Sequence, residues 1–215
     1  MYGRTRLSGV SEAGTDGPRP RRSYRGVSPE QRDADRKARA VDAAMQLCAD
    51  RRTADVSVAT VCREAQITTR QFYEIFRDRD ELFHAAYEHS VDVARRHVTE
   101  ALTTVPRRVA PRVRAMLERL FFADETSELG RALAVLFVGG AVSADLRRKR
   151  VVSIATAARA LAAALPAPEI ASGIFMATCV ELLELQWLGE PVGPTSETVD
   201  LLVRIFAPRL ASRTG

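Results

Sequence analysis

Residues 57–82 constrain this chain more than any other stretch, because they carry three helix starts in a span that leaves room only for short, steeply crossed helices. Val58, Val61, Cys62 and Ala65 recur at i, i+3, i+4 and i+7, one apolar helical face, and Ser57 stands where its cap belongs. After Gln66 and Ile67, Thr68 and the Gln71 three positions on spell a capping box, so a second helix begins there. Steps of about 100° per residue place Phe72, Ile75 and Phe76 on one arc of it and Arg70, Tyr73 and Arg77 on the opposite arc. Asp78 with Glu81 reads as the cap of a third helix, with Arg79 in its first turn, an arrangement suited to holding a phosphate. The apolar arc packs inward. The outward arc keeps a guanidinium able to contact guanine through two bonds, and a phenol able to reach a phosphate or stack.

These residues resemble the helix-turn-helix of the TetR family of transcription regulators. That pattern runs roughly Thr-Val-x-x-Ile-Ala-x-x-Ala-Gly-Val-Ser-x-x-x-Leu-Tyr-x-x-Phe-x-x-Lys-x-x-Leu, and the chain matches it at Ser57, Val58, Val61, Cys62, Ala65, Ile67, Thr68, Phe72, Tyr73, Phe76 and Leu82. Arg79 stands where the family usually has lysine, Gln66 where it has the turn glycine, and Arg52 and Thr53 where a glycine and an aromatic usually end the first helix. Glutamine tolerates a left-handed backbone less well than glycine, so strain is expected at that turn.

The resemblance implies an all-α fold of about nine helices: a three-helix DNA-binding domain, then a larger helical domain for ligand binding and dimerisation. It further implies a sequence-specific regulator, most commonly a ligand-responsive repressor, that binds a palindromic operator as a homodimer. In the family the last two helices pair with their symmetry mates, which here assigns Ile174, Leu182, Leu185, Leu202 and Phe206 to the dimer interface. The family's effector cavity lies among the middle helices. Met116, Phe121, Phe122, Phe137 and Met176 are the large or adaptable side chains available to line it, with Glu181 or Glu184 to supply charge, although helical spacing alone favours a plain core for any single one of the apolar residues. No cofactor is implied beyond a small-molecule effector.

Composition sets the remaining bounds. Hydrophobic residues make up 46% of the 215 positions, enough for a sizeable core, yet no uncharged apolar run approaches the ~20 residues that span a bilayer. With no hydrophobic signal segment at the start, a soluble cytoplasmic protein is expected. Cys48, Cys62 and Cys179 are scattered among apolar residues at helical spacing, the pattern of buried reduced thiols. The net charge of +5 sits wholly in residues 1–40, which hold ten basic and five acidic side chains and leave equal numbers elsewhere. Residues 1–28 read as a flexible arm in which Arg19, Arg21, Arg22 and Arg25 cluster. That arm is either a solubilising tail or a segment lying along DNA, with Arg22 and Arg25 as its contacts.

Ser28-Pro29-Glu30-Gln31 starts a helix expected to reach about Asp50, with Val41, Ala44, Met45 and Cys48 inward and Arg32, Arg36 and Lys37 outward. A long helix follows over about 80–104. Later helices are expected at 109–123, 127–138, 143–165, 168–188 and 195–210, separated at Pro106, Gly139-Gly140, Pro166, Pro191 and Pro194. The domains therefore divide at 29–79 and 80–215. Helix 168–188 is apolar on most sides and needs partners on most sides.

His84, His89 and His97 all lie on the long helix at spacings that do not form a metal pair, so no metal site is expected. No phosphate loop, nucleophile elbow or Cys-x-x-Cys is present, and an enzyme is not expected. Arg70 is the first choice for reading bases, supported by Thr69 and Gln71, while Ser57, Thr68, Tyr73 and Arg79 would fix phosphates. The rival from another class is a helical protein-interaction scaffold in which the helix-turn-helix is only packing.

Overall fold

Ser28 opens the first helix as its sequence requires, accepting the Gln31 backbone N–H at 3.1 Å with proline in the next position. The computed structural model describes residues 28–50, 56–142, 144–190 and 192–211; the arginine cluster with Arg22 and Arg25, and Arg52, Thr53 and Pro191, lie outside them. Among the described residues there are nine α-helices and no strand.

Helix α1 (Pro29–Ala49) keeps its charged first half outside and buries Ala40, Val41, Ala44, Met45 and Cys48 from its second. Helices α2 (Val58–Glu64) and α3 (Thr69–Ile75) pack on it and on each other, and α4 (Arg79–Thr103) runs on from them as a rod of 25 residues. Beyond it come α5 (Val109–Phe121), α6 (Glu128–Val142), α7 (Ala144–Ala164), α8 (Glu169–Trp187) and α9 (Thr195–Ala211).

Helix α6 is the hub, touching α1, α4, α7 and α8. Its inward face of Leu129, Ala132, Leu133, Ala134 and Val135 is at most 7% exposed. The break expected at Gly139-Gly140 does not occur, because α6 continues through both to Val142. A glycine inside a helix costs about 1 kcal/mol, which burial along a central helix readily outweighs.

All three cysteines are free and buried, and burial pushes the Cys48 thiol up to about 12. Burial likewise raises the Cys62 thiol, opposed by a hydrogen bond with the Thr69 side chain.

Helices α8 and α9 close the molecule, α8 against α7 and α9 against α5, and the Phe175 and Phe206 rings join them at 5.1 Å. Outside that contact, Ile170 is 77%, Ile174 56%, Leu188 67% and Leu201 49% exposed. Two residues expected at a dimer interface face the other way: Leu202 and Phe206 are 4% and 8% exposed and belong to the protomer's own core. The reason is angular, since α9 turns that arc onto α5 and α8 and presents Leu201 and Ile205 instead. Ile174 faces outward, while Leu182 and Leu185 are half-buried. By length and composition α8 is also the one described helix apolar enough to cross a bilayer, but its uncharged run ends at Val180, and Glu184 pairs with Arg150 of α7.

Candidate nucleic-acid interface

The turn between α2 and α3 is built by backbone bonds. The Ile67 N–H donates to the Cys62 carbonyl at 3.0 Å and the Gln66 N–H to that of Arg63 at 3.3 Å, the two bonds of a Schellman ending. The motif needs a left-handed residue at its centre, and Gln66 supplies it with φ of 53°. A side chain in that region costs roughly 1–2 kcal/mol relative to glycine. The strain expected where the family has glycine is thus located at Gln66.

Helix α3 then starts on the expected capping box, the Gln71 N–H donating to Thr68 Oγ1 at 3.2 Å and the Thr68 N–H to Gln71 Oε1 at 2.9 Å. Its inward face is anchored by Phe72 and Phe76, 0% and 1% exposed, with ring centroids 5.4 Å apart. The helix is shorter than its periodicity suggested. It stops at Ile75, Phe76 is extended at φ −124° and ψ 134°, and Arg77 falls in the link to α4 rather than on the outward arc. The cap of the next helix claims the chain there: the Arg77 N–H donates to Glu81 Oε2 at 2.7 Å, and its guanidinium lies 3.0 Å from Asp78.

The outward face therefore consists of Thr69, Arg70, Tyr73 and Glu74. The Arg70 side chain is 89% exposed, and its Nε donates to Glu74 Oε1 at 3.1 Å. An exposed pair of this spacing is worth only a few tenths of a kcal/mol, so Arg70 can leave Glu74 for a stronger acceptor. Tyr73 is 57% exposed and stands edge-on to Phe72, centroids 5.3 Å apart. Gln71 is engaged in the cap and half-buried, which fits a support better than a reader.

Ser57 Oγ accepts the Thr60 N–H at 3.2 Å and lies 2.8 Å from the Thr60 hydroxyl, so this residue caps α2 first. Asp78 accepts the Glu81 N–H at 2.8 Å; that bond, and next the Arg77 guanidinium, hold its carboxyl below the usual range. Arg79 sits in the first turn of α4 with its guanidinium 5.6 Å from the Phe83 ring.

Sequence reasoning missed two residues here. Glu74 was legible from its i, i+4 spacing to Arg70. Arg39, which donates from α1 to the Ala65 carbonyl at 3.1 Å, had no local signal, because the two are 26 positions apart.

Most of the residues expected to line an effector cavity join one packed core and do not surround an open space. Met116 and Phe121 are 1% and 3% exposed in the core, Phe137 and Met176 pack partly buried against it, and Glu181 is exposed on α8. Phe122 alone of that set, 57% exposed, lines a groove of about 570 Å³ between α4, α5 and the start of α6, beside His97, Glu100, Arg119 and Asp124. Large apolar side chains at helical spacing have filled the interior instead of lining a void.

Two of the histidines make polar contacts between helices, while His89 is exposed. His84 faces Asp145 of α7 at 3.2 Å, and His97 accepts from Arg119 Nε at 3.0 Å. Among the described residues no group of His, Cys, Asp and Glu is arranged to hold a metal ion.

Residues 40–86 match the family model described as bacterial regulatory proteins, tetR family. No curated protein matches the chain. Among solved structures, a transcriptional regulator from Rhodococcus sp. Rha1 superposes with TM-score 0.67 at 20% identity, covering 83% of this chain and 99% of that one. A TetR family transcription regulator from Marinobacter aquaeolei VT8 does so with TM-score 0.58 at 18% identity, covering 86% of this chain and 100% of that one. The match to the tetR family of bacterial regulatory proteins is confined to residues 40–86, and over most of its length the chain folds as these solved transcription regulators do.

Proposed function

We propose that this protein is a sequence-specific DNA-binding transcription regulator that works as a homodimer, with residues 29–79 as the reading head and 80–215 as the regulatory and dimerising part. The observation that carries this is the two-faced character of α3: Phe72 and its neighbour Phe76 are sealed in the core, while Thr69, Arg70 and Tyr73 are exposed on the opposite side. Placed in a major groove, Arg70 reads a base, and Tyr73, Thr68, Ser57 and Arg79 hold phosphates on either side. Arg22 and Arg25 add contacts from the arm that precedes α1.

Two reading heads follow from the exposed apolar faces of α8 and α9, where Ile170, Ile174, Leu201 and Ile205 meet water in the isolated protomer. Paired about a two-fold axis, they bury this surface and set half-sites of a palindromic operator about one helical turn, or a small multiple, apart.

Response to a small-molecule effector belongs to the same reading, and the groove beside Phe122 is placed to deliver it. Its wall includes Asp124 and Ser127 in the α5–α6 connection, and the Thr126 carbonyl between them accepts from Arg131 Nη1 at 3.2 Å. Arg131 also reaches α1, 3.4 Å from Gln46 Oε1 and 3.9 Å from Asp42. An occupant that shifts the connection shifts α1, and operator affinity falls by its differential affinity for the two states. Repression relieved by the effector is the mode proposed.

Selection of bound sequences from a random DNA pool tests the reading. The expected result is an enriched inverted repeat whose affinity falls steeply with salt. A pool that stays unenriched would leave the interaction-scaffold reading in its place.

A further inference from the structure

We infer that Arg39 is the positioning residue that keeps the helix-turn-helix turn in its left-handed form and so aims α3. Only the affinity consequence below rests on the DNA-binding reading.

The turn has a specific weakness. Gln66 at φ of 53° occupies a conformation in which a side chain is disfavoured. The competing arrangement is reached by rotating the planar peptide between Ala65 and Gln66 as a unit, which changes ψ of one and φ of the other together. In that rotation the Ala65 carbonyl swings away from its present direction, and the Gln66 N–H, which shares the peptide, turns off the Arg63 carbonyl.

Arg39 Nη1 donates to this same Ala65 carbonyl at 3.1 Å, so the bond exists only in the left-handed arrangement. The Schellman bonds engage the Cys62 and Arg63 carbonyls and leave that of Ala65, the last of α2, for an outside donor. The donor is charged, which strengthens the bond, and it comes from α1, the helix on which both α2 and α3 pack. A glycine at position 66 would not need it. The arginine and the glutamine therefore form one device, in which a bond from a distant helix offsets a locally unfavourable residue.

The test compares Arg39→Ala, Gln66→Gly and the double variant by operator affinity across a salt series and by amide hydrogen-exchange protection at position 66, taken relative to each sequence's free-chain rate. Arg39→Ala is expected to lose roughly five- to thirtyfold in affinity, the range set by a non-glycine residue in a left-handed backbone. The slope of log affinity against log salt should not change, because no phosphate contact is removed. Protection at position 66 should fall by a similar factor, and Gln66→Gly should restore both quantities in the double variant.

A slope smaller by about 1 in Arg39→Ala would mean that the arginine touches a phosphate, and the inference would be wrong. It would be equally wrong if protection at position 66 stayed at its wild-type level, or if the double variant bound as weakly as Arg39→Ala. Should the wild-type chain prefer no DNA site while protection at position 66 follows the stated pattern, the DNA reading fails and the positioning role stands.

Discussion

Helices α3 and α8 are held in place by opposite means. Helix α3 has seven residues, far too few for a helix to persist alone, and relies on a reciprocal cap at its start and on Phe72 beneath it. Helix α8 has nineteen residues, begins at Pro168 with no side-chain cap, and is apolar nearly all round. Hydrogen bonds between near neighbours set where α3 begins, whereas burial against α7, α6, α5 and α9 sets where α8 lies. The surfaces left over differ accordingly. What α3 leaves outside is polar and suited to a charged groove, and what α8 leaves outside is apolar and suited to a copy of itself.

The largest effect should come from removing an anchor on either side. Phe72→Ala and Phe175→Ala, both at positions 0% exposed, should each cost about 3–5 kcal/mol in urea unfolding. A loss below about 1 kcal/mol at Phe72 would mean that α3 is held by its cap alone. Next, Ile174→Glu on the outer face of α8 should weaken self-association by ~2 kcal/mol or more in sedimentation equilibrium while leaving protomer unfolding nearly unchanged. The same substitution with no effect on mass would remove α8 from the interface.

Arg70→Ala sharpens the other half of the contrast. It should cost about 1–3 kcal/mol at a single base position of the operator, whereas Arg79→Ala should weaken all sequences alike and flatten the salt slope. Equal losses on operator and random DNA for Arg70→Ala would reject its assignment as a reader. Thr68→Ala should be smaller, about 1 kcal/mol of stability lost with the cap, seen as faster amide exchange in α3 and not in α8.

The mildest lever is acid. Asp78 and Glu128 both have depressed carboxyl pKa values, Asp78 first through the Glu81 N–H and Glu128 first through the Arg96 guanidinium 2.6 Å away. What each adds to stability is complete above the unfolded carboxylate range of roughly pH 4 and disappears as pH falls through its lower folded value. Unfolding midpoints measured from neutral pH downward should therefore hold steady and then drop below that range, and Asp78→Asn should remove part of the drop.

Much of the helix-turn-helix was legible because its signals are local. Ser57, Thr68 and Asp78 each cap the helix that their spacing announced, and Phe72 and Phe76 are as buried as their arc required. Arg77 misled, since periodicity carries no information on where the next cap interrupts a helix. In the larger domain the helices were countable, but which residues faced a neighbour was not. Leu202 and Phe206 turned inward, α6 ran through its glycine pair, and the side chains expected around a cavity closed into core.

Helix starts, the two faces of α3 and the buried thiols were determined by the sequence itself, because caps and apolar spacing act over three to seven residues. The tertiary structure alone decided which arc of α9 stays wet, where the groove opens, and that α1 reaches across 26 positions through Arg39 to the turn. Those outcomes depend on the rotation of whole helices about their axes and on bonds between distant segments. Both are fixed only when the helices pack together.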